Sequence, residues 1–164
     1  MTSRTRIARA VTAGLVVAAA CAPEEATVDA DALNDFAARY AEAWSGGDPA
    51  AVAGFFAEEG SLQVNDAEPA VGRAAITGVA EGFMTTFPDL VVHMDSLVVG
   101  DEAVEFHWTF TGTNTAPGGT GQVVRISGYE EWTFGEDGLV VRSLGHYDEA
   151  EYERRLEGGA VGSR

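Results

Sequence analysis

The hydrophobic period of the chain changes within residues 83–92, which read Phe-Met-Thr-Thr-Phe-Pro-Asp-Leu-Val-Val. Before this stretch, apolar residues recur with the 3.6-residue period of an amphipathic helix, and Pro88 ends the last helix. After it, apolar and polar residues alternate with the two-residue period of a strand. The change predicts an α+β domain, in which N-terminal helices precede a long antiparallel sheet.

Three helices are predicted before Pro88. Their apolar positions are Leu33, Phe36, Ala37, Tyr40, Ala41 and Trp44; then Val52, Phe55 and Phe56; then Ile76, Val79, Ala80, Phe83 and Phe87. Gly46-Gly47 ends the first helix, and Asp48 suits the N-cap of the second, with Pro49 at its first position. Residues 61–65 alternate like a short strand.

Four strands are predicted after Pro88, at residues 90–99, 102–113, 122–134 and 139–147. Gly100-Asp101 and residues 135–138 have the composition of hairpin turns. A short helix at residues 149–157 closes the domain. The sequence therefore predicts a bent sheet with helices packed on one of its faces.

Strand alternation sorts the side chains into faces before any chemistry is assigned. One face carries Val104, Phe106, Trp108 and Phe110 of the second strand, and Val124, Ile126, Gly128, Glu130, Trp132 and Phe134 of the third. Glu130 is thus a carboxylate on an otherwise apolar and aromatic face. A buried ionised carboxylate is costly unless it is paired, so Glu130 has a partner, is protonated or faces a cavity.

On the last strand, parity groups Val140, Arg142, Leu144 and His146 against Val141, Ser143 and Tyr147. If the first set faces inward, Arg142 and His146 form a polar cluster with Glu130. The alternatives are a plain buried salt bridge between Glu130 and Arg142, or the opposite parity with Arg142 in water. His107 lies on the polar face of its strand, where we expect a sheet-surface or dimer-face residue.

The N-terminal segment has the pattern of an export signal. Arg4, Arg6 and Arg9 precede an uncharged stretch at residues 10–20, which is too short to span a bilayer, and the small residues before Cys21 resemble a bacterial lipobox. We predict a signal peptide at 1–20, a lipidated Cys21 with a tether over 21–30, a domain at 31–157 and a flexible tail at 158–164. The protein is then a lipoprotein of the bacterial cell envelope, anchored in the membrane; the alternative is an ordinary signal that leaves a secreted or periplasmic protein.

Composition excludes several classes of function. The chain has 164 residues and a formal net charge of −16, and all ten of its basic residues are Arg. Nucleic-acid binding is not expected, because phosphate recognition needs clustered positive charge. A single Cys excludes a disulfide framework and a multi-Cys metal site, and three His leave little room for a His-rich one, so no metal is predicted.

Several motifs resemble those of the SnoaL-like polyketide cyclases, in the nuclear-transport-factor-2-like superfamily. They are Ala-Trp-Ser-Gly-Gly-Asp at 43–48, Phe-Ala-Glu-Glu-Gly at 56–60, Phe-Pro-Asp-Leu at 87–90, Trp-Thr-Phe-Thr-Gly-Thr-Asn-Thr at 108–115, Ser-Gly-Tyr-Glu at 127–130, Asp-Gly-Leu-Val at 137–140 and Tyr-Asp at 147–148. The resemblance covers about residues 31–157. It implies a conical α+β barrel, with a bent antiparallel sheet packed against three N-terminal helices, and a homodimer formed through the outer sheet face.

The resemblance also implies a range of functions without a cofactor. The family includes cyclases that close polyketide rings by aldol condensation, and its relatives include isomerases, epoxide hydrolases, dehydratases and binding domains. The proposed acid/base Asp of the cyclases corresponds to Glu130, and a family His corresponds to Asn114.

Three functions are therefore expected. The first is a pocket that binds a small hydrophobic or ring-bearing molecule, and its predicted lining residues are Trp44, Phe83, Phe106, Trp108, Asn114 and Trp132. The second is a cofactor-independent acid/base enzyme that uses Glu130, with Arg142, His146 or, less well placed by parity, Tyr129 polarising a substrate oxygen. The third is a dimerising interaction module.

Overall fold

Helices cover one face of a curved six-stranded mixed sheet within residues 30–158, which are the residues described by the computed structural model. The helices are α1 (Ala30–Ser45), α2 (Pro49–Ala53), α3 (Arg73–Thr86) and α4 (Glu149–Leu156). The strands are β1 (Phe56–Val64), β2 (Ala70–Val71), β3 (Val91–Val99), β4 (Val104–Thr113), β5 (Val123–Phe134) and β6 (Val140–Tyr147). The predicted α+β class is confirmed. The predicted signal, Cys21, most of the tether and residues 159–164 of the tail lie outside the described residues.

The strand order of the sheet is β2-β1-β6-β5-β4-β3. Strands β3 to β6 form the predicted antiparallel meander. In contrast, β1 pairs with β6 in parallel, so the sheet is mixed. Strands that lie far apart in the chain are free to pair in parallel, because no tight hairpin joins them.

The second helix is shorter than predicted. Asp48 does cap it, accepting a 3.0 Å hydrogen bond from the backbone N–H of Ala50. However, α2 ends at Ala53, and the prediction that Phe55 and Phe56 continue the helix is wrong. Phe56 begins β1 instead, because it is fully buried and pairs with Val140 of β6, so tertiary packing overrides the local pattern.

A β-bulge in β6 decides which of its side chains face the helices. Thr133 of β5 lies opposite Arg142, whereas the next residue, Phe134, lies opposite Val140, so Val141 is an extra residue in β6. The bulge reverses the alternation after Val140. Ser143 is consequently buried and Arg142 is exposed. This is the predicted alternative in which Arg142 lies in water.

The core lies between α1 and the covered face of the sheet. Its largest fully buried side chains include Trp132, Tyr40, Phe56 and Phe106. The rings of Trp132 and Phe106 are stacked, with centroids 4.7 Å apart. In the described part of the chain, no helix is long and apolar enough to cross a membrane.

Candidate functional site

Glu130 is a buried carboxylate surrounded by neutral hydrogen-bond donors. It is 7% exposed, and its Oε2 accepts hydrogen bonds from Ser143 Oγ (2.6 Å), Trp132 Nε1 (2.9 Å) and Tyr40 Oη (3.1 Å). Its Oε1 accepts only a long contact of 3.4 Å from Tyr40 among the described residues. A salt bridge between Glu130 and Arg142 is therefore wrong, since the donors to the carboxylate carry no charge.

Each of the three donors is positioned by a separate element. Tyr40 lies on the buried stripe of α1, one turn before Trp44. Ser143 faces inward because of the bulge in β6, and Trp132 follows Glu130 by two residues on β5, on the same face. The site is thus assembled where Tyr40 of α1 meets side chains of the neighbouring strands β5 and β6.

The pKa of the Glu130 carboxyl is raised above its ordinary value, chiefly because burial disfavours the ionised form. The hydrogen bonds from Ser143, Trp132 and Tyr40 act in the opposite direction. Burial, together with the charge of Glu130, also holds the pKa of the Tyr40 hydroxyl well above its usual range. Tyr40 therefore stays a donor at neutral pH, beside a carboxyl that resists ionisation.

Replacing Glu130 with glutamine should remove a pH-dependent part of the stability. A carboxyl with a raised folded-state pKa stabilises the fold fully below its unfolded-state pKa, and this contribution is lost as the pH rises through the folded-state value. The free energy of unfolding of the wild type, minus that of Glu130→Gln, should therefore fall as the pH rises from the unfolded-state pKa to the folded-state pKa. The fall is about 1.4 kcal/mol for each unit that separates these two pKa values. Urea denaturation between pH 3.5 and 8 measures it, and a difference that stays constant across this range contradicts it.

A cavity adjoins Glu130 between the helices and the sheet. It comprises about 630 Å³ of space free of atoms, part of it open to solvent. Among the described residues that line it, six are aromatic, namely Trp44, Phe83, Trp108, Phe110, Tyr147 and Tyr152, and Glu130 is the one charged residue. The cavity is therefore an apolar, largely aromatic space beside a single carboxyl.

Trp44, Phe83 and Trp108 line the cavity as expected. Phe106 and Trp132 do not, because they lie in the core with no exposed surface. Asn114 was also expected there, but its Oδ1 accepts a 2.6 Å hydrogen bond from the backbone N–H of Thr120, so its side chain holds the loop after β4.

Arg142 and His146, the expected partners of Glu130, lie on the opposite face of the sheet. The His146 ring stacks on Tyr129, with centroids 4.8 Å apart, and its Nε2 lies 3.1 Å from a carboxylate oxygen of Glu131. Tyr129 also stacks on His107. The predicted polar cluster of Glu130, Arg142 and His146 is therefore not formed. The predicted dimer through this outer face stays a prediction.

The sequence reasoning missed Tyr40, Ser143, Tyr147 and Tyr152 as parts of the site. Tyr40 had a usable signal, since it lies on the same helical stripe as Trp44. Ser143 and Tyr147 belonged to the parity set that faces outward if Arg142 and His146 face inward. Tyr152 is on α4, where its ring lies 5.5 Å from that of Tyr147, and no pattern in the sequence indicates this contact.

Comparisons with known proteins agree on the fold. The profile of a family described as SnoaL-like domain matches residues 37–143. Among solved structures, TsrD from Streptomyces laurentii is 20% identical with a TM-score of 0.68, covering 82% of this chain and all of its own. SalBIII, an epoxide hydrolase/cyclase-like enzyme with a role in pyran ring formation in salinomycin, is 18% identical with a TM-score of 0.64, over 75% of this chain and 95% of its own.

A third similar structure is a SnoaL-like protein from Jannaschia sp. CCS1, which is 15% identical with a TM-score of 0.66, over 78% of this chain and 92% of its own. No curated protein sequence matches this chain significantly. At these identities, the likeness to solved structures establishes the fold alone.

Proposed function

Because this chain belongs to the SnoaL-like domain family, we propose that its cavity binds a small hydrophobic or ring-bearing molecule. The observation that carries the proposal is the lining of the cavity, which is aromatic apart from a few aliphatic side chains, Gly145 and Glu130. Small-molecule sites are typically concave and apolar, with a few polar groups that orient the ligand. Trp108 Nε1 supports the assignment, because this buried donor has no acceptor among residues 30–158.

A second candidate function is acid/base catalysis by Glu130. The raised pKa of its carboxyl is one reason, since burial that disfavours ionisation makes a carboxyl a better group to hold and return a proton. The other reason is geometric: Tyr40, Trp132 and Ser143 hold Oε2, whereas Oε1 accepts only the long contact from Tyr40 among the described residues. Such a carboxyl could move a proton at a carbon next to a carbonyl group. Cyclases and isomerases both use this step.

A thermal-shift screen of the full chain against apolar ring compounds tests binding. A ligand at about 100 times its dissociation constant should add about 2.7 kcal/mol to the stability of the folded state. Phe83→Ala should weaken the shift by removing part of the cavity wall, whereas Val98→Ala, a truncation on the exposed part of β3, should leave it unchanged. If no ring compound shifts the melting temperature of the wild type, the proposed function is wrong.

The same screen separates binding from catalysis. Glu130→Gln preserves the shape of the side chain and its capacity to accept from Ser143 and Trp132, so the binding of uncharged ring compounds should persist in this variant. A compound that the wild type converts and that Glu130→Gln binds without conversion would support the enzyme. A compound that both proteins bind and neither converts would support a binding protein.

We also propose that the protein is exported and anchored in the membrane through Cys21. The support is the sequence pattern of residues 1–21 alone. Expressed in a bacterium, the wild type should partition into the detergent phase of a phase-separation assay, and Cys21→Ser should move to the aqueous phase. Ala26→Ser, which introduces a hydroxyl nearby but keeps the Cys, should behave like the wild type. Persistent detergent partitioning of Cys21→Ser would contradict lipidation.

A further inference from the structure

The wall of the cavity beside Glu130 combines aromatic side chains with one acidic side chain. The faces of aromatic rings are negative because of the ring quadrupole, and six such rings belong to the lining that the structure describes. Glu130 adds a carboxylate to the same wall, and the described lining includes no Arg or His. The walls therefore favour a positive charge in the space between them.

The hydrogen bonds around Glu130 supply no positive charge that could balance its ionised form. Its donors within residues 30–158 are two hydroxyl groups and an indole, all of them neutral. Arg142, the base nearest in sequence on the adjacent strand, is exposed on the outer face. When Glu130 ionises, the positive charge that balances it must therefore come from a group other than the side chains of residues 30–158.

The outer end of the cavity is also acidic. A second depression shares Leu62, Val64, Phe83 and Tyr147 with the cavity wall, and it is bordered by Asp66, Glu68 and Glu149. These three acidic residues are exposed, and none of them forms an ion pair with another residue of the described range. Because the rim and the interior have the same sign, a cation would be attracted along the whole path.

We propose that the natural ligand of this cavity is an alkylated amine: an apolar or ring-bearing body with a tertiary or quaternary ammonium group. The ammonium group lies against the aromatic rings and the Glu130 carboxylate, and the apolar body fills the remaining space. Alkylation matters, because a primary ammonium is strongly hydrated and costly to bury, whereas alkyl groups weaken that hydration. This proposal rests on the proposed function and specifies the ligand class of the same site.

The test compares two probes of equal size and shape that differ in charge. Phenyltrimethylammonium and its neutral isostere tert-butylbenzene are titrated into the full chain by calorimetry. Fluorescence of Trp44 and Trp108, which line the cavity, gives a second readout. The ammonium probe should bind at least tenfold more tightly, and tert-butylbenzene should compete with it for the same site.

Two variants that each remove one negative charge test where the ammonium group binds. Glu130→Gln should lower the affinity for the ammonium probe at least tenfold and leave that for tert-butylbenzene within about threefold. Glu131→Gln, which removes the same charge from the next residue on the outer face, should change neither affinity. Should Glu130→Gln not fold, Phe83→Leu replaces it. Loss of the aromatic ring should lower the affinity for the ammonium probe several-fold and leave the affinity for tert-butylbenzene unchanged.

Each outcome separates this inference from the proposed function. If tert-butylbenzene binds as tightly as the ammonium probe, the ligand class is wrong and the apolar pocket stands. If the ammonium probe binds more tightly but Glu130→Gln and Phe83→Leu do not reduce the preference, the cation lies outside the cavity and the inference is wrong. If neither probe binds and no compound of the ring-compound screen binds, both the proposed function and this inference are wrong.

Discussion

Replacing Trp132 with alanine is expected to lower the free energy of unfolding by about 3–5 kcal/mol, the cost of deleting a large aromatic side chain from a packed core. Trp132 is fully buried. Its ring stacks on Phe106 and makes edge contacts with Phe36 and Tyr40. Its indole N–H also donates to Glu130, so the variant removes packing and a donor together. Denaturation in urea at pH 7 measures the loss.

Trp132→Phe separates these two contributions. It keeps a ring in the core but removes the N–H, so it should cost clearly less than alanine. The pKa of Glu130 should also rise further, because the ionised form loses one of its donors. Val98→Ala, at an exposed position, should change stability by about 0.5 kcal/mol or less. A loss below about 1 kcal/mol in Trp132→Ala would show that this ring is not central to the core.

Replacing Gly128 with alanine is expected to destabilise the fold by about 3 kcal/mol, the upper part of the range for overpacked sites. A Cβ at this position would lie 2.3 Å from the carbonyl oxygen of His146 and 2.6 Å from the indole of Trp108. The first contact is with backbone in a neighbouring strand and cannot be relieved by a rotamer change. Either the pairing of β5 with β6 or the Trp108 wall of the cavity must move, so ligand binding should weaken as well.

Gly78→Ala provides the matched control on α3. No heavy atom lies within 4 Å of a Cβ added there, and alanine is favoured over glycine inside a helix. The same chemical change should therefore raise the stability at Gly78, by about 0.5–1 kcal/mol. Thermal and urea unfolding of both variants give the comparison. Equal effects at the two glycines would mean that close approach to β6 and Trp108 is not what requires Gly128.

The sequence predicted the meander well because its two-residue alternation extends over whole strands. The burial of β5 follows the predicted faces from Val124 to Trp132, and that of β4 follows them at Val104, Phe106 and Phe110. The exceptions on β4 are Trp108, which is half-buried beside the cavity, and Thr109, which is buried on the opposite face. Prediction was wrong where long-range pairing competes with local pattern. Phe56 fits a helix by spacing, but it pairs with Val140, far away in the chain.

Only part of the candidate site could be predicted from the sequence, for a related reason. The parity of β5 placed Glu130 on the apolar face, and the structure confirms that position. The same rule applied to β6 predicted Arg142 and His146 as its neighbours, and there it was wrong. A single extra residue, Val141, reverses the face of each side chain that follows it on β6, and no residue type in that segment indicates the bulge.

The sequence by itself determined the fold class and the position of Glu130 among apolar groups, because both follow from periodicities that are local to each element. Only the tertiary structure decided the surroundings of that carboxylate. Neutral Tyr40, Trp132 and Ser143 donate to it, and Arg142 does not, since the position of α1 on the sheet and the bulge in β6 are set by packing between distant segments. The same packing places aromatic side chains around a cavity beside a carboxyl that pairs with no basic side chain of residues 30–158, and from this the ligand class is inferred.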